Sequence, residues 1–138
     1  MKDILPALWR RFWQVDATTM SHAQFGRWAE KQAERFLRKK GFKLLARNFR
    51  ARRGELDLVA LDGQEVVFVE VKAVRNPDAE PQLKVDARKR RCLAAAARFF
   101  IAKNQLIDNP ARFDIITIKL DETGHKQIEH EPNAFQIK

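Results

Sequence analysis

Cysteine is almost missing from this chain. Cys92 is the one cysteine in 138 residues, so no internal disulfide forms, which fits a reducing compartment and a cytoplasmic location. It lies in an Ala-rich apolar run, the setting of a small core residue rather than a nucleophile. Long apolar runs are missing too, and no stretch reaches the length of a membrane span. Residues 4–15 come nearest, but Arg10 and Arg11 interrupt them. No small-residue cleavage site follows, so a signal peptide is not expected. There is no Walker loop, no CxxC and no Ser-His-Asp arrangement. His22, His125 and His130 lack mutual metal-ligand spacing and receive no role. Internal repeats and low-complexity segments are absent. Negative charge is in deficit, with 18 acidic against 27 basic residues and a net charge of +9. A small domain of that balance favours polyanions, through salt-sensitive phosphate contacts. A basic protein that is merely soluble or ribosome-associated shares the same balance.

What is present points to one globular domain. The hydrophobic share is 45% and the charged share 33%, enough for a single core and too apolar for disorder. Residues 1–20 form an N-terminal extension, and residues 21–138 form the domain, with a polar tail from 121 that has room for short strands. In the extension Leu5, Leu8, Phe12 and Val15 repeat at helical spacing. They predict a short amphipathic helix docking on the core or on a second subunit, so a homodimer is open. Stacking of Trp9 and Trp13 on bases and binding to a membrane surface are the other readings. Ser21 is placed to cap a helix from His22 to Lys40 that ends at Gly41. Phe42 to Arg50 reads as a strand. Residues 73–83, with Pro77 and Pro81, read as a loop. A second helix spans Val85 to Lys103, and Arg112 to Leu120 is the last core strand.

Between the first strand and that loop lie two apolar β-type runs, 53–60 and 66–72, joined at Asp62-Gly63. That dipeptide is a strong two-residue hairpin signal. It pairs Leu61 with Gln64, Val59 with Val66, Asp57 with Phe68 and Glu55 with Glu70, and sets Lys72 opposite Arg53. One face then carries Leu56, Leu58, Ala60, Val67, Val69 and Val71. The far end of the other carries Glu55, Asp57, Glu70 and Lys72. A like-charge pair such as Glu55 and Glu70 is unfavourable unless compensated. A divalent cation compensates well: two or so of the carboxylates Glu55, Asp57 and Glu70, with open water positions, suit Mg²⁺ or Mn²⁺, Glu55 being the weaker candidate. Lys72 beside it can stabilise a phosphoryl oxyanion or orient a water. The plainer reading is a surface ion pair of Glu70 with Lys72 and a simply exposed Asp57.

Asp57 followed by Glu70-Val71-Lys72 resembles the PD-(D/E)XK signature of the restriction-endonuclease-like nucleases. The wider series is more specific. It runs Ala29-Glu30-Lys31-Gln32-Ala33-Glu34-Arg35-Phe36-Leu37, Gly41-Phe42, Ala46-Arg47-Asn48-Phe49-Arg50, Gly54-Glu55-Leu56-Asp57-Leu58, Phe68-Val69-Glu70-Val71-Lys72 and Arg112-Phe113-Asp114. In that order it resembles the YraN family, itself similar to archaeal Holliday-junction resolvases, over roughly residues 22–120. The resemblance implies an α/β fold with a restriction-endonuclease-like αβββαβ core, a mixed central sheet flanked by helices. It also implies metal ligands at Asp57 and Glu70, a supporting Lys72 and a helix-borne catalytic acid at Glu30. Read from the residues alone, Glu30 is a solvated helix charge or a partner of Arg27 or Lys31. Two departures stand out: Ala29 replaces the usual glycine before the helix glutamate, and the run from Ala73 to Pro81 replaces a Thr-Arg or Tyr-Arg with a glycine-containing loop.

Basic residues cluster in 31–53 and at the start of the second helix. Arg50, Arg52, Arg53, Arg88, Lys89 and Arg91 are the candidate nucleic-acid contacts, a basic rim around an acidic pocket. A charged helix face that only solvates the protein is the alternative. Three functions follow. One is a Mg²⁺- or Mn²⁺-dependent endonuclease acting on nucleic acid, DNA ahead of RNA, including branched or damaged DNA. The second is a nucleic-acid-binding protein on a nuclease scaffold without turnover. The third is a protein-interaction module.

Overall fold

Ser21 starts the first helix. In the computed structural model, which describes residues 20–75 and 85–136, the Ser21 hydroxyl accepts from the Gln24 N–H at 3.1 Å and the Gln24 side chain accepts from the Ser21 N–H at 2.8 Å. This reciprocal pair satisfies two otherwise unpaired donors and fixes where α1 (His22–Lys39) begins. The helix stops at Gly41, where the Phe42 N–H turns back to the Leu37 carbonyl at 3.0 Å. β1 (Lys43–Ala51), β2 (Gly54–Asp62) and β3 (Glu65–Val74) follow as an antiparallel meander. α2 (Ala87–Lys103), capped by the Asp86 carboxylate on the Lys89 N–H at 2.8 Å, crosses to β4 (Ala111–Leu120), which pairs parallel to β3. β5 (Lys126–Phe135) closes an open mixed sheet of order β1-β2-β3-β4-β5. The expected αβββαβ order and helix-flanked mixed sheet are thus found. Part of the expected polar tail adds β5 to it.

The two helices cover opposite faces of the sheet. Ala29, Ala33 and Leu37 of α1 pack on Leu58, Val67, Val69, Ile116 and Ile118. Leu93, Ala96, Ala97 and Phe100 of α2 pack on Val59, Val66, Phe68, Phe113 and Ile115. Covering on both faces is why the middle of β3 reads as an unbroken apolar run rather than an alternation. α2 approaches β2 closely at Gly54. A Cβ built there would lie 2.8 Å from the Cys92 carbonyl oxygen, so the absence of a side chain lets helix and strand meet. Cys92 itself is half-buried.

The hairpin differs from its sequence reading in register. Asp62 pairs with Glu65, Leu61 with Val66 and Val59 with Phe68, so the loop is Gly63-Gln64 rather than Asp62-Gly63. Gly63 takes φ +61, the conformation that a two-residue hairpin loop asks of a glycine at its first position. Arg112 clamps the acidic pair above it, reaching Asp62 at 3.0 Å and Glu65 at 2.6 Å. The slide is by two residues, so by itself it moves no side chain to the other face. A second difference lies at the other end. The β2–β3 ladder stops at Leu58 and Val69, while β2 stays paired with β1 to Gly54 and β3 with β4 to Val74. The pairs Asp57–Phe68, Glu55–Glu70 and Arg53–Lys72 therefore do not form. Where β2 turns away, Leu56 joins the α2-side cluster although Leu58 belongs to the α1 side. The expected single apolar face breaks at that point.

Among the described residues no helix is long and apolar enough to cross a membrane. The amphipathic segment 4–15, with Trp9 and Trp13, lies outside the described residues, as does most of the loop with Pro77 and Pro81.

Candidate active site

The acids gather where β2 and β3 part. Asp57 Oδ2 accepts from the Val71 N–H at 2.8 Å, so its carboxylate takes over a donor that the broken ladder leaves unpaired. Glu70 is buried, one residue before Val71, and Lys89 from α2 reaches it at 2.5 Å. Burial pushes the Asp57 carboxyl up to about 7, and the charge of Glu70 adds to this; the Val71 N–H opposes it. Glu30 arrives from α1, on the other face of the sheet. Burial raises its pKa, a hydrogen bond from Asn48 opposes the rise, and the charges of Glu55 and Glu70 add to it. Asn48 adopts φ +48 within β1, a backbone conformation that asparagine tolerates better than most residues. Lys72 is half-buried two residues beyond Glu70, on the same side of a regularly paired strand.

The sequence-derived set is thus brought together in its main members. Asp57, Glu70 and Glu30 act on one another through their charges. Glu55, the weaker third ligand, is exposed and turns to Arg50 at 3.7 Å. Among the described residues no three His, Cys, Asp or Glu side chains are arranged to enclose an ion by themselves. A donor set of Asp57 and Glu70 would leave most positions to water, as Mg²⁺ and Mn²⁺ accept. The raised Asp57 fits such an ion, because the nearby cation Lys89 is bound to Glu70 and offsets only part of the repulsion.

The basic rim divides. Arg50, Arg52 and Arg53 lie exposed on and beside the β1–β2 turn, and Arg88 and Arg91 are exposed on the first turns of α2. Lys89 is exposed too, but its ammonium is bonded to Glu70: partial burial disfavours its charge, and that bond holds its pKa above the ordinary value. Beside Glu30 a cleft of about 460 Å³ is lined by Arg27, Lys31, Arg35, Arg38 and Arg47. Within it Arg47 and Arg38 lower the pKa of Glu34, Arg47 most strongly.

Two features escaped the sequence. Asn48 as the partner of Glu30 is one, and its only signal is the Asn inside the Ala46–Arg50 motif. The other is His130, whose Nε2–H donates to the Asp114 carboxylate at 2.7 Å. Asp114 is fully buried; burial raises its pKa, but His130, Arg112 and the Asn133 N–H together hold it below the ordinary value. No spacing rule connects Asp114 and His130, since only the β4–β5 pairing brings them together.

The model of the uncharacterised protein family UPF0102 matches residues 29–118. The chain belongs to this family. UPF0102 is the YraN family of the restriction-endonuclease-like superfamily, as the sequence motifs implied. The UPF0102 protein of Geobacter metallireducens is 41% identical over 121 residues, which cover 86% of this chain and 98% of that one. The UPF0102 protein of Pelobacter propionicus is 44% identical over 111 residues, covering 78% and 79%. Among solved structures, Pyrococcus furiosus SfsA in complex with Ca²⁺ is similar with a TM-score of 0.44 and 16% identity, over 77% of this chain and 63% of that one. The UPF0102 span contains Glu30, Asp57, Glu70, Lys72 and Arg112-Phe113-Asp114, while His130 lies beyond it.

Proposed function

We propose that this UPF0102 protein hydrolyses phosphodiester bonds in nucleic acid, DNA ahead of RNA, with Mg²⁺ or Mn²⁺ held by Asp57 and Glu70. The observation that carries this reading is the gathering of acids where β2 and β3 part: Asp57 takes the Val71 N–H at 2.8 Å beside the buried Glu70, and burial and that neighbouring charge push its carboxyl up to about 7. Perturbation of that size costs stability and concentrates where chemistry is done. When bound, the ion supplies charge stabilisation at the phosphate and acidifies a water. The chain does the rest. The Val71 N–H fixes the orientation of the Asp57 carboxylate. Lys72 places a positive charge where negative charge develops on the phosphate. Glu30, raised above its ordinary value, takes up a proton from the attacking water. Arg50, Arg52, Arg53, Arg88 and Arg91 grip the backbone on either side.

The second reading, a nucleic-acid-binding protein without turnover, has one observation in its favour. Lys89 already neutralises Glu70 at 2.5 Å, and a built-in cation there competes with a metal. Single-turnover cleavage separates the two readings, using branched, single-stranded and duplex DNAs and RNAs with Mn²⁺ or Mg²⁺. Under the nuclease reading, Asp57→Asn and Glu70→Gln each lower the rate about a hundredfold or more while gel-shift binding is kept or tightened. Lys72→Ala also loses activity, and Glu30→Gln loses less. Wild-type rates in both carboxylate variants would place the cleavage elsewhere. Tight binding with no cleavage under any metal would leave the binding protein.

A further inference from the structure

On the α2 side of the β1–β2 turn lies a cleft of about 470 Å³ whose arginines the proposed function uses as a grip on the backbone but whose aromatic wall it leaves without a role. Its walls are Arg50, Arg52 and Arg53 from the turn and Ala95, Arg98 and Phe99 from α2. Phe99 is 54% exposed. Its inner edge is fixed by Phe49, with ring centroids 6.0 Å apart, and Phe49 stands edge-on to Phe100 at 5.0 Å. The result is a firmly backed aromatic face that is open on its outer side and ringed by arginines. A second copy of this chain is a poor occupant, because a two-fold interface would bring the same arginines face to face. Charge complementarity calls for an anion, and the aromatic face calls for a flat ring.

We infer that this cleft holds one unpaired nucleotide of a nucleic-acid strand, its base stacked on Phe99 and its phosphates against Arg52 and Arg53. The inference rests on the reading of nucleic acid as the ligand and adds what kind of nucleic acid it is. Bases inside a duplex are already stacked on each other, so the cleft selects a strand with a single-stranded stretch. Phe99 stands ten residues along α2 from Lys89, about 15 Å at the helical rise. The unpaired stretch therefore begins a few nucleotides from the acids.

The test is equilibrium binding of a single-stranded oligonucleotide carrying 2-aminopurine, and of a duplex, to the full metal-free chain. Wild type, Phe99→Ala, Phe99→Trp and Arg52→Ala are compared across a salt series. Phe99→Ala is expected to lose about tenfold in single-strand affinity, within the range of base–aromatic stacking. Its salt slope stays unchanged, its 2-aminopurine quenching is lost and its duplex binding is unaltered. Phe99→Trp restores binding and quenching, whereas Arg52→Ala lowers the salt slope by about one. Wild-type affinity and quenching in Phe99→Ala would overturn the cleft while leaving the nuclease reading standing. So would sedimentation showing a self-associating wild type that Phe99→Ala dissociates. Stacking at Phe99 with no cleavage under any metal would leave the cleft and remove the nuclease. A wild type that binds neither oligonucleotide at low salt would remove both.

Discussion

Asp57 joins stability to chemistry within one side chain. Its carboxyl is pushed from 3.8 to about 7 by burial first and Glu70 second. A raised acid favours the folded state fully below its unfolded value, and that contribution is lost as the pH rises through about 7. Metal-free wild type should therefore lose stability between about pH 4 and pH 8 relative to Asp57→Asn, which keeps an oxygen for the Val71 N–H. The shift sets a ceiling of about 4 kcal/mol, and solvent screening brings the expected gain at pH 8 nearer 1–2 kcal/mol. Urea unfolding in chelator at pH 5 and pH 8 checks it: equal gaps between the two proteins at both pH values would contradict the account. Mn²⁺ binding should tighten over the same range, because the ion needs the ionised carboxylate. The acids at 55, 57 and 70 were legible as residues because they interrupt apolar strands. Their electrostatic state was not, because it depends on the helices that bury them.

At the scale of elements, the contact between α2 and β2 rests on the missing side chain of Gly54. Gly54→Ala puts a methyl 2.8 Å from the Cys92 carbonyl, and overpacking of this kind costs about 1–3 kcal/mol. Thermal unfolding should show a loss of several degrees. Cys92→Ala should not rescue it, since the nearest atom is backbone. Full rescue by Cys92→Ala would place the conflict at the sulfhydryl side chain instead. The two helices and the first four strands were readable to within a residue or two, from Ser21, Gly41 and the apolar periodicity, whereas β5 (Lys126–Phe135) was read only as a polar tail with room for short strands because it carries little apolar pattern. The hairpin register was read two residues off, because the Asp62-Gly63 signal does not reveal that Arg112, fifty residues later, clamps Asp62 and Glu65 together.

For the whole molecule the net charge of +9 has its own consequence. Nucleic-acid binding should be mainly electrostatic and nearly indifferent to sequence. With about six phosphates contacted, affinity should fall about a thousandfold between roughly 50 and 200 mM salt. A flat salt dependence would dismiss the basic rim. The sequence by itself determined the fold order, the family and the acidic residue types, because capping, periodicity and motif order are local properties of the chain. Only the tertiary structure decided where β2 and β3 separate, that Lys89 bonds Glu70, and that His130 serves Asp114. Each of these depends on which distant surfaces are pressed together, and burial of charge is set by neighbours that no single stretch of sequence contains.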